Sequence, residues 1–592
     1  FQANIDSGWM PADLSAFSLE DRSRDEGAKL NKPYKVAVAQ ITTDPGKISE
    51  NTAKIIDYIQ RAKKSGADLV VFPELAIPGY LSMDLFKRQA YLEENLAALE
   101  QVRKATDGIT AIVGFADFNP DTKGPDGKPL VYNSAAIIHD GKILGVQDKT
   151  LLPEYDIFFE KRYFAPARER KVVEVDGRRI GTQICEDLWT AGYETDPAQL
   201  LVQKGADLIV NLSASPFHIG KLPVRWNLIT ETAKEKGISL IYANLVGGFD
   251  GHEGEVVFDG QSLVADKNGK VTALAPGFSE GLLITDLAGD NYISCPEVAL
   301  AEELHAALVL GLRDYFRRLG TDKDGNKKKA IIGLSGGIDS AVVAALAVTA
   351  LGAENVVGIT MPSKYNSQET IKDAENLARN LGIEFKVSPI GETVERELAT
   401  FKSDPEIAGL PEDVTEENVQ ARVRMMRLMA YANKLKGIVL NTGNRTEIAL
   451  NNCTIYGDMV GGVSVLGDVD KDRVYALARY VNEAADREVI PETTINRVPT
   501  AELKPNQIDA QVMGDDPVKI SPLVRSMVED GLSVSEAAQR FAGQYDREFI
   551  RASFRKLDAS EWKRRQLGPP IRVTQNTFGD GRRIPMGHGF EG

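Results

Sequence analysis

A glycine-rich turn between a short apolar run and an alanine-rich segment most constrains how this 592-residue chain folds. The turn follows Ala330, Ile331 and Ile332 and consists of Gly333, Leu334, Ser335, Gly336, Gly337, Ile338, Asp339 and Ser340. This order predicts a strand, a tight turn and a helix, whose unpaired N–H groups and positive dipole end favour a bound phosphate. The common phosphate loop ends in Gly-Lys-Ser/Thr, whereas this turn carries Ile338 and Asp339. An acidic residue among phosphates indicates a Mg²⁺ ion held against them.

Residues 335–340 resemble the signature of ATP pyrophosphatases, which cut ATP between its α and β phosphates. The resemblance implies that residues 333–340 contact ATP and that Asp339 binds Mg²⁺. It also implies a reaction in which ATP adenylates a carboxyl or carbonyl oxygen.

The net charge of the chain limits the partners that it can have. Its formal charge is −15, which argues against a nucleic acid backbone or an anionic membrane as the main partner. No apolar run reaches the roughly 18 residues that a membrane-spanning helix needs. The sequence has 3 cysteines, an odd number spread far apart, which makes a disulfide framework or zinc cluster improbable and fits a cytoplasmic location.

Changes in composition and in the predicted secondary structure divide the chain into four parts. Residues 1–33 are polar and charged, which predicts a solvated arm. Residues 34–290 alternate predicted strands and helices, as expected of a layered α/β domain. Residues 291–329 predict a connecting helix and a charged linker. Residues 330–592 begin as a doubly wound parallel sheet, with the glycine turn at the end of its first strand, and finish in a helical region and a tail.

Three short stretches of the first domain each place one reactive side chain after a predicted strand: Glu74, Lys149 and Cys185. Amide cleavage by a thiol needs a nucleophile, a group that takes and returns its proton, and a cation that stabilises the oxyanion. Cys185, Glu74 and Lys149 would fill these roles in that order. Taken singly, each also suits an ordinary role, as a core cysteine, a capping glutamate or a surface lysine. A Cys-His pair is less attractive, because none of the 5 histidines lies in a comparable motif.

These stretches resemble the Glu-Lys-Cys triad of the nitrilase superfamily, and the likeness spans nearly the whole first domain. It implies an αββα sandwich. It also places Glu160 where that family has a supporting second glutamate, and we group Glu160 with the residues around the substrate glutamine.

Glutamine is the amide that the resemblance implies, because amidotransferase members of that family share further residues with this chain. The matching residues are Tyr155, Ser215 and Lys221, while Glu186 could meet the substrate amine. Packing or surface roles remain open for these four.

The second domain carries several further motifs, at residues 417–422, 442–447, 456–459, 499–503 and 563–566. With the first domain they resemble the glutamine-dependent NAD synthetase family over nearly the whole chain. The resemblance implies that ATP adenylates the nicotinate carboxylate of deamido-NAD and that ammonia from glutamine completes the amide. Thr442 would contact ATP, and Asn418, Glu447 and Lys563 would hold deamido-NAD. Glu447 could instead bind the metal.

Two rival functions remain open at the level of sequence. One is another ATP pyrophosphatase ligase that acts on a nucleotide or a transfer RNA, although the acidic balance disfavours RNA. The other is a non-catalytic assembly scaffold, which the intact triad disfavours. The resemblance also implies a homo-oligomer without fixing the number of subunits.

Overall fold

The computed structural model describes residues 34–124, 127, 129–321 and 325–590. The predicted arm, residues 1–33, and part of the charged linker lie outside the described residues. Within those ranges, no helix combines the length and the apolar character needed to cross a membrane.

The first half of the chain builds two six-stranded sheets with helices on their outer faces. In chain order its elements are β1 (Lys35–Gln40), α1 (Ile48–Lys64), β2 (Leu69–Val71), α2 (Gln89–Lys104), β3 (Thr110–Lys123), β4 (Pro129–His139), β5 (Lys142–Asp148), β6 (Val172–Val175), β7 (Arg178–Ile184), α3 (Pro197–Gln203), β8 (Leu208–Ser213), α4 (Lys221–Lys236), β9 (Ser239–Asn244), β10 (Val246–Asp250), β11 (Glu255–Asp259), β12 (Leu263–Ala265), β13 (Val271–Leu274) and β14 (Gly281–Asp286). The sheets have the orders β14-β1-β2-β3-β4-β5 and β13-β12-β9-β8-β7-β6.

The two sheets face each other across one apolar core. Val38 and Ile112 of the first sheet share this core with Leu208 and Ile241 of the second. Central strands such as β2 and β8 are buried along their whole length, which explains their continuous apolar sequences. Helices α1 and α2 pack on the outside of the first sheet, and α3 and α4 on the outside of the second. The predicted αββα sandwich is confirmed.

The second half builds a five-stranded sheet and a helical region. Its elements are α5 (Leu300–Arg318), β15 (Ala330–Gly333), α6 (Ile338–Leu351), β16 (Val356–Thr360), α7 (Gln368–Leu381), β17 (Glu384–Val387), α8 (Gly391–Lys402), α9 (Val414–Leu435), β18 (Ile438–Asn441), α10 (Arg445–Ala449), β19 (Val463–Ser464), α11 (Lys471–Ala484), α12 (Glu492–Asn496), α13 (Asp509–Met513), α14 (Pro517–Val528), α15 (Val534–Arg540), α16 (Arg547–Ala559), α17 (Glu561–Arg564) and β20 (Ile571–Arg572). The sheet order is β17-β16-β15-β18-β19, and all its pairs are parallel. Helices α6, α7 and α11 cover one face and α8 and α9 the other, so the doubly wound prediction is confirmed.

The glycine turn has the predicted place between β15 and α6. Gly336 has φ +82°, and a Cβ on it would lie 2.2 Å from the carbonyl oxygen of Thr370. Both facts require glycine at this position. The turn therefore brings the start of α6 close to α7, at the carboxyl end of the first strand of the sheet.

The tail of the chain returns to the first half. Strand β20 pairs in parallel with β11, and Ile219 N–H donates to the carbonyl oxygen of Val573. Helix α5 also packs on β10, β11 and α6. The two halves therefore share an extensive boundary.

Candidate functional site

The three predicted reactive residues follow strands that meet inside the sandwich. Glu74 follows β2, Lys149 follows β5 and Cys185 follows β7, and all three are buried. The first two strands belong to one sheet and the third to the other. The sandwich thus brings together residues that are far apart in the sequence.

Lys149 is the centre of this cluster. Its Nζ lies 2.7 Å from Glu74 Oε1 and 2.7 Å from Glu160 Oε1. Glu74 Oε1 also accepts from Asn133 Nδ2 at 2.7 Å, and Glu74 Oε2 accepts from the N–H of Ala214 at 3.0 Å. These contacts fix both carboxylates around one ammonium group.

Burial and charge set the protonation of the cluster. Burial opposes the charge of Lys149, but Glu160 and Glu74 outweigh it and raise the pKa of the ammonium well above its usual value. Burial raises the pKa of Glu160 to about 7, against the attraction of Lys149. Burial and then Glu74 raise the pKa of the Cys185 thiol well above its usual value. The resting thiol therefore keeps its proton at neutral pH and needs a base to become a nucleophile.

Cys185 begins a 3₁₀ turn in a conformation that favours glycine. Its φ is +45°, a strained value for a non-glycine residue and one often found at functional positions. The carboxylate of Asp187 holds this turn, because its Oδ2 accepts from the N–H of Ile184 at 3.1 Å. Its Oδ1 accepts from the N–H groups of Thr150 at 2.9 Å and Leu151 at 2.8 Å. One carboxylate thus links the segment of the nucleophile to the segment of Lys149.

We expect Asp187→Asn to slow glutamine hydrolysis by about 10²-fold, because an amide offers one acceptor oxygen where the carboxylate offers two and the segments lose their mutual register. Release of glutamate from glutamine measures the effect. Synthesis from added ammonium serves as the internal control and should not change. An equal fall with ammonium, or a large drop in melting temperature, would show that the substitution merely unfolds the protein.

Cys185 opens into a cavity of about 340 Å³ that also contains most of the predicted glutamine-contacting residues. Tyr155, Glu186, Ser215 and Lys221 all line it. Tyr155 Oη donates to Glu186 Oε2 at 2.9 Å. Glu160 does not line this cavity. Its carboxylate accepts from Lys149 Nζ at 2.7 Å and from Tyr80 Oη at 2.8 Å, and its grouping with the glutamine-contacting residues stays a prediction.

The tail supplies one wall of the same cavity, which sequence reasoning missed. The tail residues are Arg572, Thr574, Gln575, Asn576 and Gly581. Asp468 of the second half anchors this wall, since its Oδ2 accepts from the N–H groups of Val573 and Thr574 at 2.8 Å each. No sequence motif connects the tail with the cysteine, because tertiary contacts such as the pairing of β20 with β11 bring them together.

A second cavity, of about 550 Å³, lies at the carboxyl ends of the parallel strands. The predicted residues that line it are Ser335, Gly337, Ile338, Asp339, Ser340, Asn418, Thr442, Glu447 and Lys563. Gly333, Leu334 and Gly336 do not line it: Leu334 is buried, and Gly336 packs against α7. Helices α6 and α11 both begin at this cavity, which favours anions there.

Lys471, which sequence reasoning also missed, lies among the acidic residues of this second cavity. Its Nζ is 2.5 Å from Asp339 Oδ2 and 3.0 Å from Glu447 Oε1. Burial opposes its charge, but Asp339 and Glu447 raise its pKa above the ordinary value. Burial raises the pKa of Glu447 to about 7, against the attraction of Lys471. A lysine at the first position of a helix, where the dipole disfavours it, was the available sequence signal.

Both halves of the chain match known protein families. Residues 35–297 match the family model for carbon-nitrogen hydrolase, and residues 306–567 match that for NAD synthase. The glutamine-dependent NAD(+) synthetase of Thermotoga maritima is 37% identical over 599 residues, covering 95% of this chain and 99% of its own. That of Synechocystis sp. is 38% identical over 574 residues, covering 94% and 99%.

A solved structure agrees with these relatives. The glutamine-dependent NAD+ synthetase from Acinetobacter baumannii, in complex with adenosine diphosphate, has 36% sequence identity and a TM-score of 0.73. The match covers 94% of this chain and 98% of that one. The chain therefore belongs to the glutamine-dependent NAD(+) synthetase family.

Proposed function

We propose that this enzyme makes NAD from deamido-NAD, ATP and glutamine, releasing AMP, pyrophosphate and glutamate. The first cavity would release ammonia from glutamine, and the second would activate the nicotinate carboxylate. The observation that carries this proposal is the presence in one chain of a buried Glu-Lys-Cys cluster and a nucleotide-type cavity at the ends of a parallel sheet.

In the first cavity, the Cys185 sulfur attacks the side-chain amide carbon of glutamine while Glu74 takes the thiol proton. Lys149 stabilises the oxyanion, and the proton passes to the departing nitrogen, which leaves as ammonia. Water then attacks the thioester, and glutamate is released with the thiol restored. Asp187 holds the two segments in place without contacting the substrate.

The substrate carboxylate of glutamine offers a natural partner for Lys221. Burial and Arg225 lower the pKa of Lys221 to about 8, and its Nζ lies 4.3 Å from the centre of the Trp189 ring. The ammonium is therefore charged below pH 8 and loses its proton above it.

We expect kcat/KM for glutamine to fall by roughly tenfold per pH unit above the pKa of Lys221, since the neutral amine no longer attracts the substrate carboxylate. Initial rates of glutamate release between pH 6.5 and 9.5 measure the profile. Lys221→Met should have a lower kcat/KM for glutamine at neutral pH, and its kcat/KM should not fall in the same way above pH 8. A profile of unchanged shape in Lys221→Met would remove the lysine from glutamine binding.

In the second cavity, an oxygen of the nicotinate carboxylate attacks the α-phosphorus of ATP and pyrophosphate leaves. Ammonia then attacks the carbonyl carbon of the adenylate, and AMP leaves. Backbone N–H groups at the start of α6 and the ammonium of Lys471 would hold phosphates, and Thr442 would contact ATP. Asn418 and Lys563 would hold deamido-NAD from the far side of the cavity.

The acidic residues of this cavity fit Mg²⁺. Although no group of three or more His, Cys, Asp or Glu side chains among the described residues could hold a metal, Asp339 and Glu447 supply two hard oxygen ligands. Two carboxylates suit Mg²⁺, which keeps several waters and binds phosphates. When bound, Mg²⁺ would neutralise the charge that develops on the phosphates. We therefore assign Asp339 and Glu447 to the metal, and Glu447 also lines the cavity proposed for deamido-NAD.

Ammonia needs a protected route, because water at neutral pH protonates it. A further cavity, of about 570 Å³, is lined by the triad-side residue Glu160 and by aromatic residues that include Tyr80, Phe158 and Phe164. The buried Oε2 of Glu160 has no hydrogen-bond partner among the described residues and could accept from ammonia. We propose that ammonia leaves the triad on this side.

The remaining parts of the proposal concern organisation. We assign residues 34–290 to glutamine hydrolysis, 291–329 to the connection and 330–592 to NAD synthesis. Cytoplasmic action and a homo-oligomer are consistent with a small-molecule enzyme and are further parts of the proposal.

Incubation of the protein with ATP, glutamine and deamido-NAD tests the reaction as a whole. NAD, AMP, pyrophosphate and glutamate should appear in equal amounts, each followed by chromatography. Release of ADP in place of AMP would exclude adenylation. Failure with deamido-NAD but success with another carboxylate substrate would favour a different ligase of the same type, and no reaction at all would favour the assembly scaffold.

A further inference from the structure

Lys471 occupies the space between the two carboxylates assigned to the metal. Its side chain is only 2% exposed, and those of Asp339 and Glu447 are 18% and 17% exposed. The ammonium contacts one oxygen of each carboxylate, at 2.5 Å and 3.0 Å. A buried lysine thus stands where a bridging cation would lie.

The other oxygens of these carboxylates also have donors. Asp339 Oδ1 accepts from Asn444 Nδ2 at 2.9 Å, and Glu447 Oε2 accepts from the N–H of Asn444 at 3.4 Å. Each oxygen of the two carboxylates therefore already accepts one contact, and a metal ion would have to share these oxygens with the present donors or displace them. Lys471 offsets one of the two negative charges of this carboxylate pair.

The helices around Lys471 do not account for its position. Lys471 is the first residue of α11, and Asp339 lies in the first turn of α6. Both helix N-termini disfavour a positive charge and favour a negative one. The two carboxylates therefore hold the ammonium, and bound phosphates would offer it an alternative anion in a favourable place.

We propose that Lys471 is a resident cation that keeps the metal position filled until the metal arrives together with ATP. With ATP bound, the ammonium moves to the phosphates and frees Asp339 and Glu447 for Mg²⁺. The enzyme therefore takes up the metal as a metal–nucleotide complex and not as the free ion. This inference rests on the proposed assignment of the two carboxylates to the metal.

Binding of Mn²⁺ as the probe, without nucleotide, tests the inference. Free Mn²⁺ is measured by electron paramagnetic resonance in titrations of the whole protein. Lys471→Met removes the competing charge, and we expect it to bind Mn²⁺ at least about tenfold more tightly than the unaltered protein. Lys471→Arg keeps a cation and should bind as weakly as the unaltered protein. Lys563→Met is the matched control, because this lysine borders the same cavity but contacts Cys453 O at 3.1 Å.

A double variant separates the lysine from the carboxylate site. Asp339→Asn in the Lys471→Met background should cancel the tighter binding. Equal Mn²⁺ affinity of the unaltered protein and Lys471→Met would overturn the role of the lysine. Tighter binding that survives Asp339→Asn would instead overturn the carboxylate site on which the inference rests.

A second measurement needs no substitution and so does not depend on the folding of any variant. The unaltered protein should bind Mn²⁺ tightly only when α,β-methylene-ATP, which cannot be split between its α and β phosphates, is present. Tight binding of Mn²⁺ in the absence of the nucleotide would overturn the proposal.

Discussion

Replacing Cys185 with alanine should abolish NAD formation from glutamine and leave NAD formation from ammonium unchanged. Cys185 is the only cysteine in the first cavity, and in thiol and serine hydrolases loss of the nucleophile costs on the order of 10⁴–10⁶ in rate. The second cavity, where NAD synthesis is proposed, contains none of the triad residues. Added ammonia should therefore still reach the adenylate there. NAD is measured in parallel with each nitrogen source at saturating ATP and deamido-NAD.

The control for this variant is Cys295→Ala, since Cys295 is partly buried near α3 and α4 and borders neither cavity. It should retain both activities. A folded Cys185→Ala protein that had lost synthesis from ammonium as well would contradict the separation of the two chemistries. Synthesis from glutamine that persisted would remove Cys185 from catalysis.

Asp339→Asn should remove NAD synthesis with either nitrogen source. Asp339 lies in the first turn of α6, pairs with Lys471 and lines the second cavity. Loss of its charge would therefore deprive the proposed Mg²⁺ site of one of its two carboxylates. We expect a fall of at least about 10²–10³-fold in NAD formation, the range seen when one fixed charge-stabilising group is lost from an active site. Pyrophosphate release gives a second measure of the same step.

Glutamate release should continue in Asp339→Asn, because the triad lies in the other half of the chain. Glu384→Gln is a suitable control: this residue lies on β17 of the same sheet, where it pairs with surface lysines. Its loss should change rates by less than about twofold, as expected for an exposed ion pair. Full synthetic activity in Asp339→Asn would contradict the assigned metal site.

Much of the fold could be predicted from local patterns. Apolar runs such as Leu69–Val71 and the glycine turn before α6 have few structural alternatives, so a layered α/β first domain and a doubly wound second domain followed from them. The αββα form of the first domain was implied by the resemblance to the nitrilase superfamily. Glu74, Lys149 and Cys185 could be singled out because each follows a predicted strand and the three together resemble the nitrilase triad. Their meeting inside the sandwich required the packing of two sheets, which no local pattern encodes.

The residues that sequence reasoning missed were missed for the same physical reason. Asp187 acts through hydrogen bonds to backbone groups of a distant segment, and those groups look alike in every sequence. Thr574 reaches the cysteine cavity only because the tail adds a strand beside β11. Lys471 looks like a surface lysine until α11 is placed against α6. In each case the partner is set by tertiary structure and not by spacing in the chain.

The strand that the tail adds beside β11 has consequences for how such an enzyme can diverge. Residues 570–577 belong in sequence to the half that contains the nucleotide cavity, yet they form a boundary of the chamber into which Cys185 opens. Substitutions in this short segment are therefore expected to affect both glutamine hydrolysis and NAD synthesis. Exchanging either half for that of a distant relative would leave this shared wall mismatched, so the two halves are expected to evolve together.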